Sequence, residues 1–394
     1  MSGVLDGIRV LDFGRYIAGP WCSALLGDLG ADVIRIEKLA GSEDRYIAPV
    51  SEDGAGAMFL QMNRNKRSVT LNPMKPEGQE LVKKLVATSD VVVANLPPQV
   101  LKQMGLDYDS LCAIKPDIIL TTVSCFGHQG PYSHKVGFDG IAASMSGTVY
   151  MGGWPDDPIK AAVPWVDFGT ATTCAFGTLA ALMERAKTGK GQMVEGALLR
   201  TALTFGNAAM IEQSLLGIDR VATGNRGQTS SPNDIFKTKD GHIITQILGP
   251  IQFERWCQMM GEEHWLSDPR FKDDLARGDN GEILSKRMNE WCGERTTQEC
   301  IDALEEARIP AGPVYSPQQA LDDPHVQASG MLKEVNYPGL SKPAPVADTP
   351  VRLTESNPGI ARRAPTLGEH TEEVMHELGL DDAKIKALRD ARVI

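Results

Sequence analysis

The chain has 394 residues, 42% of them hydrophobic and 23% charged, with a formal charge of −11. That length carries a prior of two domains with enough apolar material for sizeable cores, and the composition excludes global disorder. The acidic balance disfavours a broad nucleic-acid surface, which needs clustered positive charge, but leaves room for a local anion site. In chain order, residues 8–13 form a short apolar run that reads as a buried strand. Residues 18–29 have helical spacing, with Cys22, Leu25, Leu26 and Leu29 on one face and Gly30 as the stop. Strands follow at 32–37 and, more weakly, 68–71; an amphipathic helix at 76–88 opens on Pro76, where a missing N–H costs little. Residues 91–94 and 118–124 read as two more strands. Strands separated by helix-length patterns imply βαβ units and an open, doubly wound parallel sheet.

From Asp167 onward the pattern changes. Residues 168–184 form a helix of small side chains, residues 188–192 a turn, and residues 198–216 a long apolar helix. Residues 217–232 read as a linker. Strands near 235–237 and 242–248, followed by acidic, Trp-bearing helices, make a smaller α+β domain over 233–316. Residues 317–394, with a Pro-rich stretch at 337–350 and two short helices split at Gly379, are expected to return to the large domain begun by residues 1–216. The seven Cys are far apart and form no CxxC, which argues against a disulfide framework or structural zinc. Residues 1–13 carry Asp6 and Arg9 and lead into no long apolar run, and residues 168–183 are fewer than the roughly 18–20 a bilayer span needs. A soluble, cytoplasmic protein is expected, with no membrane or nucleic-acid partner.

Motifs for common chemistries are missing. The first strand-to-helix turn, Gly14-Arg15-Tyr16-Ile17-Ala18-Gly19-Pro20, is neither GxGxxG nor a Walker A loop, and no GxSxG elbow occurs. Arg15 reads either as part of an anion site at that turn or as a solvated loop residue. The basic run Asn63-Arg64-Asn65-Lys66-Arg67-Ser68 reads as a solvated face or as a clamp for phosphate or carboxylate. His128 and His134 lack metal-ligand company and read as surface histidines. Asp167, between Val163-Pro164-Trp165-Val166 and the small-residue helix, reads as a helix N-cap or as a carboxylate nucleophile beside backbone donors.

Taken together, an ordered set of segments resembles the family III CoA-transferases, the group of formyl-CoA and carnitine CoA-transferases with α-methylacyl-CoA racemase as a divergent branch. The segments are Leu11-Asp12-Phe13 with Ala18-Gly19-Pro20, residues 29–37 (LGADVIRIE), Asn65-Lys66-Arg67-Ser68, Gly137-Phe138-Asp139 with Ser146-Gly147, and Asp167. Thr188-Gly189-Lys190-Gly191-Gln192, residues 309–314 (IPAGPV) and Leu367-Gly368-Glu369-His370-Thr371 complete the set. The resemblance implies a large Rossmann-like domain with an open parallel sheet, a smaller α+β domain and an interlocked homodimer. It implies a CoA site at Ile17, Ala18, Lys38, Leu71, Asn72, Asn95, Leu96, Pro97, Gln103, Met104, Val136, Gly137, Phe138 and Asp139, with Arg15 beside it.

The resemblance also makes Asp167 the catalytic aspartate. It implies transfer of CoA from an acyl-CoA thioester to an acceptor carboxylic acid through an aspartyl mixed anhydride and an aspartyl-CoA thioester. CoA and acyl-CoA are then substrates, and neither prosthetic group nor metal is expected. The racemase, which needs proton carriers on both sides of an α-carbon, is the rival. It uses a His before the Asp of Gly-His-Asp and a Glu before Pro-Gln-Phe; here Phe138 fills the first place, and Gly249-Pro250-Ile251-Gln252-Phe253 lacks the second. A non-catalytic acyl-CoA-binding homologue and a thioester hydrolase are further alternatives. The glycine-rich loop of formyl-CoA transferase has its nearest counterpart in residues 224–229, which hold two glycines, and this speaks against oxalate and formyl-CoA. Gln103 stands where the family often has Arg. Arg15 or Arg226 pairing with a second carboxylate favours a small dicarboxylate acceptor.

Overall fold

The computed structural model describes residues 3–356 and 358–394. These fall into two compact units. The first holds the described residues up to Ser146 together with Ala162–Ala209 and Val326–Ile394; the second holds Gly147–Ala161 and Met210–His325.

The first unit is built on the expected open α/β sheet. Strands β1 (Arg9–Asp12), β2 (Asp32–Glu37), β3 (Lys66–Thr70), β4 (Val91–Ala94), β5 (Ile119–Ser124) and β6 (Met193–Ala197) run parallel in the order β3-β2-β1-β4-β5-β6. Burial of the central strands on both faces explains their enrichment in Val, Ile and Leu, and the buried Asp12, Arg35 and Glu37 among them are charge-paired. The connecting helices are α1 (Ala18–Asp28), α2 (Pro76–Ala87), α3 (Pro98–Gln103), α4 (Tyr108–Ile114), α5 (Asp139–Met145) and α6 (Trp165–Thr188). Helix α7 (Leu198–Leu216) follows β6. Leu11, Ile34, Val69, Val92 and Leu120 meet Leu81 and Leu85 of α2 in one buried core; Val374, Leu388, Val393 and Ile394 join it from far along the chain.

Four readings need correction. Helix α1 is not buried on one face: Trp21, Ser23, Ala24 and Asp28 are as enclosed as Cys22 and Leu26, because the helix lies between the sheet and α6. Strand β6 was not anticipated. Met-Val-Glu-Gly-Ala has weak alternation, as an edge strand with one sheet neighbour permits, and Gly196 leaves no room for a Cβ against Cys174 of α6. The Pro-rich stretch contains half of a hairpin, Leu332–Val335 paired with Ala344–Ala347, since Pro345 occupies a position on a two-stranded ribbon where an N–H is dispensable. Helix α6 has 24 residues, enough by length and composition to cross a bilayer. One side of it packs into the first unit, with Val166, Thr170, Ala171, Cys174, Thr178 and Ala181 buried. Its small residues permit close approach to α1, β5 and β6, and the Thr121 and Thr178 hydroxyls meet at 2.6 Å.

The second unit has a three-stranded antiparallel sheet with His242–Gln246 between Asn233–Lys237 and Ala311–Pro313. Its core gathers Phe253, Trp256, Phe271, Met288 and Trp291.

Candidate active site

The strand order reverses between β1 and β4, and in open α/β sheets the crevice beyond such a reversal is where ligands bind. Two turns meet there. Asn95, just past β4, accepts from the Arg15 backbone N–H at 2.6 Å and donates to the Arg15 carbonyl at 2.7 Å. Tyr16 follows in the left-handed region, with φ 61°. For a non-glycine residue this conformation is strained, and such strain concentrates at functional sites. It turns the chain into α1, whose first turn has no side-chain cap, so its backbone donors remain available to a ligand.

Two cavities in the first unit open onto this crevice. The larger, about 710 Å³, is lined by Phe13, Ile36, Lys38, Leu71, Asn72, Met74, Lys75, Met104 and Arg392, among others. The smaller, about 210 Å³, is lined by Tyr16, Ile17, Ala18, Asn95, Pro97, Cys125, Lys135, Val136, Gly137, Phe138, Asp167 and Leu198, among others. Arg15 and Leu96 line both. The site residues implied by the resemblance therefore divide. Lys38, Leu71, Asn72 and Met104 border the larger cavity; Ile17, Ala18, Asn95, Pro97, Val136, Gly137, Phe138 and Asp167 border the smaller. Gln103, exposed at the end of α3, and Asp139, at the start of α5, line neither. Arg226 belongs to the second unit, where its guanidinium donates to the Gly278 carbonyl at 3.3 Å.

The sequence reading missed several lining residues. Lys75 and Arg392 add charge to the larger cavity, where Lys38 also pairs with Glu43. Arg392 lies more than 300 residues from Lys75, and only the fold brings them together, with Lys75 reaching the Ala391 carbonyl at 2.5 Å. Lys135 borders the smaller cavity with its ammonium 3.8 Å from the centre of the Tyr132 ring. Tyr16 and Phe138, both exposed, form an edge-to-face pair at 5.9 Å.

Asp167 is not the N-cap of its helix. Helix α6 begins at Trp165 after Pro164, so Asp167 lies within the first turn. The cap comes from elsewhere: one Asp139 carboxylate oxygen accepts from Val166 N at 2.8 Å and Asp167 N at 3.1 Å. The Asp167 carboxyl is left facing the cavity. Burial, and secondarily the Asp139 charge, push its pKa up to about 7. Cys125 borders the same cavity; burial, with Asp167 adding to it, raises its thiol to about 11, so it stays protonated near neutrality. Gly137 lies so close to it that a Cβ would come within 2.5 Å of Cys125 Sγ.

The basic run is neither a solvated face nor a phosphate clamp. Lys66 is fully buried, its ammonium 2.7 Å from Asp12, and Arg64 pairs with Asp28 at 2.5 Å. Arg67 reaches Asp32 at 2.6 Å and Glu377 at 2.6 Å. Arg35 pairs with Asp44 at 2.8 Å and Arg45 with Glu37 at 2.5 Å, so the ends of β1, β2 and β3 rest on one buried ionic network. Burial pulls Lys66 down to about 8, with Asp12 opposing. Burial pushes the Asp12 carboxyl up, but Lys66 and Arg35 outweigh it and hold it below its usual value. Asp12 also accepts from Gly14 N at 2.7 Å, tying the network to the turn that carries Arg15.

Among the described residues, no group of three or more His, Cys, Asp or Glu is placed to hold a metal ion. The family model for CoA-transferase family III matches residues 5–371. A succinyl-CoA–D-citramalate CoA-transferase of Chloroflexus aurantiacus is 34% identical, over 99% of this chain and 98% of its own. A succinyl-CoA:glutarate CoA-transferase of Mus musculus is 32% identical, over 99% and 90%. The crystal structure of a CaiB/BaiF family protein from Brucella suis superposes with a TM-score of 0.83 at 32% identity, covering 96% of this chain and 100% of its own. A match over nearly the whole length, in sequence and in fold, makes this chain a member of CoA-transferase family III.

Proposed function

We propose that the protein transfers CoA from succinyl-CoA to a short dicarboxylic acid, with Asp167 as the nucleophile. The observation that carries this reading is the junction of the two cavities. A cavity of about 710 Å³ bordered by Lys38, Lys75 and Arg392 suits the phosphates and base of CoA. Asp167 lines the adjoining one, which supports it as the group that meets the thioester carbonyl. Relatives named for succinyl-CoA with D-citramalate, mesaconate and glutarate support the substrate class. Lys135, which borders the Asp167 cavity, supplies positive charge for a distal carboxylate, whereas the Arg15 guanidinium donates to the Phe13 and Gly14 carbonyls at 3.3 and 3.0 Å.

The chemistry runs in four balanced steps. The Asp167 carboxylate attacks the succinyl thioester carbonyl; the C–S bond breaks, leaving an aspartyl-succinyl anhydride and CoA thiolate. The thiolate attacks the aspartyl carbonyl and expels succinate, giving the aspartyl-CoA thioester. The acceptor carboxylate attacks that thioester and regenerates thiolate, which finally attacks the acceptor carbonyl and frees Asp167. Backbone donors at the uncapped start of α1 suit the oxyanion of each addition. A site with apolar walls limits loss of the intermediates to water. Phe138 carries no proton, so the position where the racemase has His offers no base. The reading includes a homodimer and a cytoplasmic location; exposed Phe176 and Met183 on α6 and Phe205 on α7 favour a second copy of the chain.

The test is intact mass of the protein mixed with succinyl-CoA and quenched with borohydride or hydroxylamine, followed by acceptor trials with glutarate, mesaconate and a monocarboxylate of matched length. A modification present in wild type and absent in Asp167→Ala supports the covalent route. No modification, with CoA binding intact, defeats it.

A further inference from the structure

We propose that Asp139 is a positioning residue: by taking up the first backbone donors of α6 it leaves the Asp167 carboxylate free to face the substrate. The inference rests on the reading of Asp167 as nucleophile. Helix α6 follows Pro164, which has no side-chain acceptor; Trp165 N donates to the Val163 carbonyl at 2.8 Å, but the next two N–H groups, Val166 and Asp167, lack a local partner. An aspartate in a first turn readily satisfies such donors itself, folding back onto nearby backbone. Here that is pre-empted. The Asp139 carboxylate reaches across 28 positions of sequence and accepts from both Val166 N and Asp167 N. Among the described residues nothing donates to the Asp167 carboxylate, which is buried beside the charge of Asp139.

The arrangement has two consequences from one group. A nucleophile must present an unshared oxygen toward the carbonyl, and Asp139 keeps both oxygens of Asp167 from being engaged by the helix. Burial makes the Asp167 carboxylate more basic than a free one, and the Asp139 charge adds to this against the favourable field of the helix start. The other titratable groups that line the Asp167 cavity are Cys125 and Lys135 from the segment after β5 and Arg15 and Tyr16 from the turn after β1. The first turn of α1 brings none, and Arg200 at the start of α7 lies 3.8 Å from Glu195. Asp139 borders neither cavity, and its contact with Val166 N and Asp167 N is the role its side chain plays in the Gly137-Phe138-Asp139 motif.

The experiment compares wild type, Asp139→Asn and Asp139→Ala in three readouts: the single-turnover rate of Asp167 modification by succinyl-CoA across pH, the CoA dissociation constant, and the Asp167 carboxyl titration followed by carbon NMR. Asn retains an acceptor but no charge. Its rate profile and its titration should both move to lower pH, with the plateau rate near wild type. Ala removes the acceptor, and its plateau rate should fall by about 10–100-fold with CoA affinity unchanged. Thermal melts establish that each variant is folded, and Asn carries the test if Ala is not. An unchanged profile and titration in Asn, or a loss in Ala confined to CoA affinity, overturns the proposal. A wild type that forms no adduct defeats the nucleophile reading instead, and the titration alone then decides whether Asp139 acts on Asp167.

Discussion

Asn95 holds both the N–H and the carbonyl of Arg15, at 2.6 and 2.7 Å, so one side chain past β4 fixes the turn past β1. The two strands flank the reversal in sheet order, and the amide stitches the crevice floor at the point where the cavities share Arg15 and Leu96. Asn95→Ala strands two partly buried backbone groups and should cost about 1–3 kcal/mol in urea unfolding. The strained Tyr16 then relaxes, and KM for acyl-CoA rises several-fold. An Asn95→Ala enzyme with unaltered stability and KM would show that the turn holds without the amide.

Gly137 and Cys125 form a second coupled pair at the same site. A methyl at 137 has to displace the thiol, because its Cβ would lie 2.5 Å from Sγ. Gly137→Ala should destabilise by about 1–3 kcal/mol, in the range of other overpacked cores. Cys125→Ala in the same chain makes room, so the double mutant should recover part of that loss; a coupling near zero in the cycle would mean the strain arises elsewhere.

The sheet was legible in the sequence because β4 is wholly apolar and β1, β2 and β5 keep Val, Ile and Leu in short buried stretches between turn signals. Strand β6 was not, since a half-exposed edge strand carrying Glu195 and Gly196 makes no such pattern. Asp167 was legible as a candidate through the small-residue helix behind it, but its capping by Asp139 depends on a contact spanning 28 positions that no periodicity encodes. Lys75 and Arg392 meet for the same reason only in the folded chain. The basic run misled because charge in sequence says nothing of partners. Asp12, Asp28 and Asp32 lie on β1, at the end of α1 and at the start of β2, and they meet Lys66, Arg64 and Arg67 only when the chain folds β3 into the sheet.

Lys66 provides the test of that correction. Lys66→Met leaves Asp12 as a fully buried carboxylate without its closest cation. Breaking one side of such a pair costs about 3–5 kcal/mol, so the variant should melt well below wild type or accumulate unfolded. If it folds, its discrimination between CoA and dephospho-CoA should match wild type. A stable Lys66→Met protein with selectively weakened binding of the phosphorylated ligand would restore the phosphate-clamp reading.

The Asp167 carboxyl also sets how stability varies with pH. Its pKa in the folded chain, about 7, lies above the ordinary 3.8. The native state therefore holds this proton more tightly than the unfolded chain does. The stabilisation is fully present below about pH 3.8 and is lost as pH rises through 7. At pH 8 the ionised side chain is a burden that the fold carries because attack on a thioester requires it. Asp167→Asn removes the ionisation along with the activity, so at pH 8 it should be more stable than wild type by about 1–3 kcal/mol. At pH 4 the difference should vanish. Denaturant titrations of both proteins at the two pH values decide the matter: an equal gap at both, or a wild type more stable at pH 8, would mean that Asp167 titrates as an ordinary carboxylate and needs no help from burial or Asp139 to act.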